Sequence, residues 1–432
     1  MLHYKLPLKK VLIITYYWPP AGGPGVQRVL KFAKYLPDFS WQPIILTVEN
    51  GEYPAIDESL LDDIPPGIKV YKTKSFEPFN LYKGITGQKG NIPTHVLNKS
   101  ENESALQKLS KWIRANVFIP DARVGWIPTI VKEGKNIIEK EKPDLIFSSS
   151  PPHSLQIGAM KLAKQTGLKW VADFRDPWTD GFWQKELPRT RYAIKKDSKL
   201  ERKVLQNSNA VITVSDSIAE LLDKKNHNSY HVIPNGYDEY DFANIVKSKS
   251  EKFTIVYTGS LRKSQIPNKF LRSLSELNSN NAILNLELHF IGTVHPDAVN
   301  LVNEFNLNKL VKFYSYKPHN ELIKCIINAD MLLLSIPNTQ NNEGILTGKL
   351  FEYIGSNNFT LCIGPKNGDA AKIISELNCG ITFDFDEDTS KIVLEKYSQW
   401  EAGFSHTPEI NSEQYTRKNL TKKLSSIFDS IL

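Results

Sequence analysis

One pattern constrains this chain above all others: short β-branched apolar runs alternate with helical stretches, and the series runs through twice. Parallel β/α units produce that rhythm, because each strand is buried on both faces and each helix covers one. The first series offers strands at Val11–Thr15, Pro43–Thr47, Ile68–Tyr71, Leu145–Ser148, Lys169–Ala172, Ala210–Val214 and His231–Ile233. A lysine-rich stretch without apolar periodicity, VKSKSEK (Val246–Lys252), reads as a linker. A second series then offers Thr254–Tyr257, Leu286–Ile291, Val311–Tyr314, Met331–Ser335, Phe359–Ile363 and Ile381–Phe383, with helices such as Asn268–Asn278 and Asn320–Ala329 between them. The expected fold class is α/β: two tandem Rossmann-like, doubly wound domains facing across a cleft, spanning 1–245 and 250–411. The C-terminal stretch 412–432 has apolar residues at helical spacing and is assigned to the first domain. Ligands are expected at the carboxyl ends of the strands.

Composition narrows the function. The chain has 432 residues and only three cysteines, Cys325, Cys362 and Cys379, which argues against a disulfide framework or a cysteine-rich zinc site and fits a cytoplasmic protein. The N-terminus has a basic start, but VLIIT is short and Pro19 and Pro20 follow it, so it reads as a strand and not a signal peptide. No apolar run is long enough to span a bilayer. Net charge is +7, carried by the first half: residues 1–245 hold 34 Lys/Arg against 27 Asp/Glu, residues 246–432 hold 20 against 20. That excess suits an anionic membrane surface or an acidic substrate, and is too small for a dedicated nucleic-acid binder.

An insertion at 73–125 carries no clear strand, and its segment Lys83–Glu103 is rich in Gly, Lys and Asn. The following stretch Ala105–Pro120 places Leu106, Leu109, Ile113 and Val117 on one helical stripe, with Trp112 beside it and lysines and Arg114 opposite. Such a helix either lies on an anionic membrane or packs its stripe on the domain's own core.

Three motifs carry chemistry. In TYYWPPAGGPGVQR, Gly22 and Gly23 let backbone approach a ligand, and a helix beginning near Val26 offers its amides to an anion. The third glycine of a dinucleotide fingerprint is missing there. In SIPNTQNNEGILTGKLFEY, Thr347 and Gly348 stand where a helix begins, Lys349 lies beside them, Glu352 follows one turn later and Glu343 precedes them. Free amides and a lysine make a cradle for a diphosphate, and a carboxylate can accept from a ribose diol. In SSSPPHS and WVADFRDPW, His153, Asp173, Arg175 and Asp176 end two strands in aromatic company that suits a sugar. A structural salt bridge from Arg175 to either aspartate is the alternative. No Gly-x-Ser-x-Gly elbow supports a serine hydrolase.

Over residues 8–430 the chain resembles the retaining glycosyltransferases of the GT-B fold, in the family 4 group. TGKLFEY resembles a variant of that group's donor-binding motif, PPAGGPGVQR its glycine-rich loop, FTIVYTGSLRK (Phe253–Lys263) the start of its C-terminal domain, and VKFYSYKPHNEL the segment framing the base. The resemblance implies that Glu352 holds the ribose, while Arg262 with Lys263 or Lys349 neutralises the diphosphate. Lys269 is a further candidate for the diphosphate. It implies that Tyr316 and Lys317 border the base, and that His153, Asp173 and Arg175 contact the transferred sugar or orient the acceptor. Eight residues separate Glu343 from Glu352 where the family has seven, so Glu343 is an inexact counterpart. The implied activity is transfer of a sugar, with retention and without metal or other cofactor, from a nucleotide sugar to a glycan or lipid-linked acceptor in cell-surface polysaccharide synthesis. A nucleotide-sugar epimerase or hydrolase, or a non-catalytic nucleotide-sugar-binding scaffold, fits the same motifs.

Overall fold

The computed structural model describes residues 8–49, 51–53, 55–75, 105–181, 183–184, 187–243, 245–248, 250–404 and 410–432. The expected Gly/Lys/Asn-rich segment at 83–103 lies outside them.

Strands buried on both faces need apolar side chains in both directions, and the first series supplies them. In β1 (Lys9–Thr15) burial is continuous from Val11 on. With β2 (Trp41–Val48), β3 (Lys69–Thr73), β4 (Leu145–Ser150), β5 (Lys169–Phe174), β6 (Ala210–Thr213) and β7 (Tyr230–Val232) it forms a seven-stranded sheet ordered β3-β2-β1-β4-β5-β6-β7. Every pair is parallel. Strands β4 and β5 run two residues past the apolar pattern, through Ser149, Ser150, Asp173 and Phe174. Those polar residues are buried and hydrogen-bonded, which hydropathy cannot register.

The second series forms a six-stranded sheet from β8 (Phe253–Thr258), β9 (Leu286–Ile291), β10 (Val311–Tyr314), β11 (Met331–Ser335), β12 (Thr360–Ile363) and β13 (Gly380–Phe383), ordered β10-β9-β8-β11-β12-β13 and again parallel throughout. Each sheet reverses direction of winding once, between β1 and β4 and between β8 and β11. At such a switch point the loops at the strands' carboxyl ends splay apart and leave a crevice.

By internal contact the chain divides into Met1–Pro234 with Leu420–Leu432, and Asn235–Asn419. The division falls before the lysine-rich stretch at 246–252 that the sequence offered as the linker. Tyr237, Phe242 and Ile245 pack on the apolar cluster of the second unit, which carries this segment with it. In the last helix, Arg417–Ile431, Leu420, Leu424, Ile427 and Phe428 are buried against the first sheet. The Phe428 ring lies 5.2 Å from Trp41 and 5.5 Å from Phe147.

The helix Ala105–Asn116 forms, and Leu109, Trp112, Ile113 and the following Val117 are exposed. Among the described residues no helix is long and apolar enough to cross a membrane.

Candidate functional site

In the first unit the glycine-rich turn leaves β1 and opens the helix Pro24–Tyr35. Gly23 is the N-cap with φ of 103°, a backbone state open to glycine and strained for other residues. Gly22 is held by the neighbouring loop, its amide donating to the Ala55 carbonyl at 2.9 Å, while Asp57 donates its amide to Pro20. Gly25 has no room for a side chain, because the Arg175 guanidinium occupies that space.

Arg175 is fixed there from the other side. Its Nε donates to the Ser150 carbonyl at 3.0 Å and its Nη2 to the Pro151 carbonyl at 2.8 Å. Asp173 is not its hydrogen-bonded partner: the Asp173 carboxylate accepts from Nε and Nη2 of Arg28 at 3.1 and 2.8 Å and from Ser149 Oγ at 2.6 Å. Both charged side chains are fully buried. The Asp173 carboxylate thus accepts three buried hydrogen bonds, two from Arg28 and one from Ser149. Arg28 completes the set by donating Nη1 to the carbonyl of Pro234, the last residue before the chain enters the second unit. Arg28 and Gly25 lack the spacing of a known fingerprint. The arginine three residues after Gly25 is the available signal.

His153 stands at the N-cap position of the helix Ser154–Thr166, and its ring stacks on Trp178, centroids 4.9 Å apart and 7° from parallel. Burial, with help from Arg175 and Lys225, pushes its pKa down to about 3, so the imidazole is neutral. Both ring nitrogens are buried without a hydrogen-bond partner among the described residues. Unpaired polar atoms of this kind cost about 1–3 kcal/mol each unless something satisfies them. By the carboxyl ends of β2 and β3, a cavity of about 310 Å³ is lined by Trp18, Tyr53 and Ile56 together with Glu49 and Lys72.

In the second unit Thr347 is the N-cap of the helix Gly348–Ser356, as the motif suggested, and its side chain caps nothing. Its buried hydroxyl has no partner among the described residues. Lys349 lies across the Tyr257 ring, Nζ 3.9 Å from the centroid, and donates to the Tyr257 hydroxyl at 2.6 Å. That hydroxyl in turn donates to the Ser260 carbonyl at 2.8 Å. Burial lowers the Lys349 pKa to about 7, Glu352 raises it and Arg262 lowers it further. The lysine, the arginine and the carboxylate are thus within one electrostatic neighbourhood.

The other lysines are engaged elsewhere. Lys263 pairs with Asp297 at 2.9 Å on the surface, and Lys269 faces Asp388. Lys317 pairs with Glu321 at 3.8 Å. Tyr316 is exposed on the loop after β10. Glu343 is exposed as well, and its backbone carbonyl accepts from the Asp369 amide at 2.8 Å. Burial raises the Glu352 pKa, against the pull of His319, Arg417 and Lys349. His319 stands between two acids: Nδ1 lies 3.8 Å from Glu352 and Nε2 3.1 Å from Asp241. Among the described residues no group of three or more His, Cys, Asp or Glu is placed to hold a metal ion.

Two parallel doubly wound sheets, with polar clusters at the switch point of each, define the GT-B fold. A comparison of the structure agrees. A glycosyltransferase from Rickettsia africae matches with a TM-score of 0.63 at 14% identity, covering 98% of each chain. Anabaena HepE in complex with UDP-glucose matches at 0.60 and 11%, covering 98% of this chain and 99% of that one. The sucrose-phosphate synthase of Thermosynechococcus elongatus matches at 0.64 and 12%, covering 98% and 99%. Residues 93–240 match the model of Glycosyltransferase Family 4. No curated protein matches the sequence.

Proposed function

We propose that the chain is a retaining glycosyltransferase that moves a sugar from a nucleotide-diphosphate sugar to a glycan or lipid-linked acceptor in cell-surface polysaccharide synthesis. The observation that carries this reading is Lys349, held over Tyr257 beside Arg262 at the start of a helix, with Glu352 one turn further on. A diphosphate seated there meets the Lys349 ammonium, the Arg262 guanidinium, helix N-terminal amides and the unpartnered Thr347 hydroxyl. The same cations stabilise the charge that develops on the diphosphate as the sugar leaves, so the reading calls for no metal. The family match and the UDP-glucose complex of a protein of this fold support a nucleotide sugar as donor. Retention rests on resemblance to family 4.

The first unit takes the acceptor in this reading. The cavity walled by Trp18 and Tyr53 offers apolar ring faces, and Glu49 and Lys72 offer groups for hydroxyls. His153, neutral and unpaired, suits a hydroxyl of the transferred sugar.

The acceptor is held at the inner face of an anionic membrane, with the protein cytoplasmic and peripheral. The exposed stripe Leu109, Trp112, Ile113 and Val117 supports this. Asn116, at the end of that helix, accepts from the Thr190 amide at 2.6 Å and donates to the Pro188 carbonyl, joining it to the start of the helix Arg191–Asn207. In that second helix Lys195, Lys199, Arg202 and Lys203 are exposed, while both acids are buried: Asp197 binds Arg189 and Trp178, and Glu201 binds Lys225. A basic face beside an apolar stripe fits anionic headgroups over acyl chains.

The test is thermal stabilisation by UDP, GDP, ADP and their sugars, in wild type and Glu352→Ala. A ligand at 100 times its Kd adds about 2.7 kcal/mol. One nucleotide should raise Tm in the wild type and fail in the variant; indifference to all of them overturns the reading. Product release with and without acceptor separates a transferase from an epimerase or a bare binding scaffold. Sedimentation with phosphatidylglycerol vesicles at low salt tests the membrane: protein left wholly in the supernatant removes that part.

A further inference from the structure

We infer that His319 is a positioning residue for the donor: with Asp241 behind it, it orients the Glu352 carboxylate toward the ribose diol. The inference rests on the reading that Glu352 grips the ribose.

Three side chains from three separate segments form the line. Glu352 lies in the helix Gly348–Ser356, His319 opens the helix His319–Asn328, and Asp241 sits in the short helix Glu239–Phe242. The Glu352 and His319 side chains are 17% and 14% exposed, so water screens their interaction little. At 3.8 Å the Nδ1–Oε1 separation is too long for a hydrogen bond, and a protonated imidazole at that distance attracts the carboxylate. Among the described residues no hydrogen bond reaches the Glu352 carboxylate, so both oxygens keep their lone pairs for an incoming pair of hydroxyls. The imidazole therefore aims the carboxylate without using it up.

Asp241 gives the imidazole its direction. At 3.1 Å from Nε2 it fixes the ring plane, as a carboxylate does for any histidine whose other nitrogen has work to do. Its own place is fixed by backbone. The Tyr237 amide donates to the Tyr415 carbonyl at 3.0 Å, and the Arg417 amide donates to the Tyr237 carbonyl at 2.7 Å. The segment entering the second unit and the segment leaving it thus run side by side under the ribose grip. Arg417 and Lys349 also draw on the Glu352 charge. They pull on it against burial and Asp241, which favour the protonated form.

The experiment compares UDP with 2′-deoxy-UDP by calorimetry in the full chain, with the ADP and GDP pairs run alongside. If Glu352 accepts from the diol, the wild type should prefer the ribonucleotide by roughly tenfold to a hundredfold, the range of a hydrogen bond to a charged group. His319→Ala and Asp241→Asn should both collapse that preference while leaving binding of the deoxynucleotide nearly unchanged. His319→Asn, which returns an amide nitrogen near the position of Nδ1, should restore part of it. A merely structural histidine would weaken both nucleotides equally. If Glu352→Gln abolishes the preference and both His319→Ala and Asp241→Asn retain it, the inference is wrong and the ribose reading stands. If Glu352→Gln retains it, or the wild type shows none, the ribose reading falls and this inference with it.

Discussion

Arg28 and Asp173, 145 residues apart in sequence, meet through two hydrogen bonds with neither side chain exposed to solvent. The pair ties the glycine-rich loop to the end of β5, and through Pro234 to the point where the chain leaves the first unit. Removing one partner of such a buried pair leaves the other charge uncompensated and costs about 3–5 kcal/mol. Asp173→Ala should therefore lower the unfolding free energy read from urea titration by that amount, with activity falling in proportion to the folded fraction. Full stability with turnover abolished would instead put the carboxylate on the substrate.

Gly25→Ala tests the second contact between the same two segments. A methyl group there must displace the Arg175 guanidinium from the carbonyls of Ser150 and Pro151. On the proposed reading the nucleotide is held by Lys349 and Glu352, so UDP affinity should stay within about twofold. Turnover should fall by at least an order of magnitude, on the scale of a misplaced positioning group. A parallel loss of UDP affinity would show that Arg175 serves the donor instead.

Lys349 predicts a pH dependence of donor binding. Its pKa is lowered to about 7, chiefly by burial, and a diphosphate would raise it. Binding then takes up a proton above pH 7, so affinity falls as pH rises, approaching about tenfold per unit between pH 7.5 and 9. Titration calorimetry in buffers of different ionisation enthalpy reads the uptake directly. Lys349→Arg stays charged and should bind with an affinity flat over that window. A flat wild-type profile would remove Lys349 from the diphosphate.

His153 predicts a pH dependence of folding. Its pKa is depressed from 6.5 to about 3, so between those values the unfolded chain binds a proton that the folded chain refuses. Its contribution is complete above pH 6.5 and is lost as pH falls, with a slope approaching about 1.4 kcal/mol per pH unit. In urea titrations between pH 4 and 6.5, His153→Phe should flatten the profile by that slope. Equal slopes in both proteins would mean that the imidazole protonates freely in the folded state.

The sheets were legible because parallel strands advertise themselves: every strand offered from apolar runs appears, with ends shifted by a residue or two. The helix start at Thr347 and Gly348 was legible for a similar reason, since a polar loop and a glycine precede an apolar stripe. Partnerships across the fold were not. Nothing near Asp173 in sequence points to Arg28, and nothing near Glu352 points to His319 or Asp241; parallel topology alone makes them neighbours. Tyr257 read as one more buried strand residue, although its ring is the shelf for Lys349. Among lysines of equal charge only the fold distinguishes one facing Asp297 or Asp388 from one that faces Arg262.

The last helix has a consequence for how the protein is made. Trp41 and Phe147 have Phe428 as a neighbour, and that residue leaves the ribosome after every strand of both sheets. Until synthesis has passed Phe428, part of one face of the first sheet is bare, and the nascent protein is a candidate for chaperones that bind exposed apolar surface. The first unit, begun before the second, is finished after it.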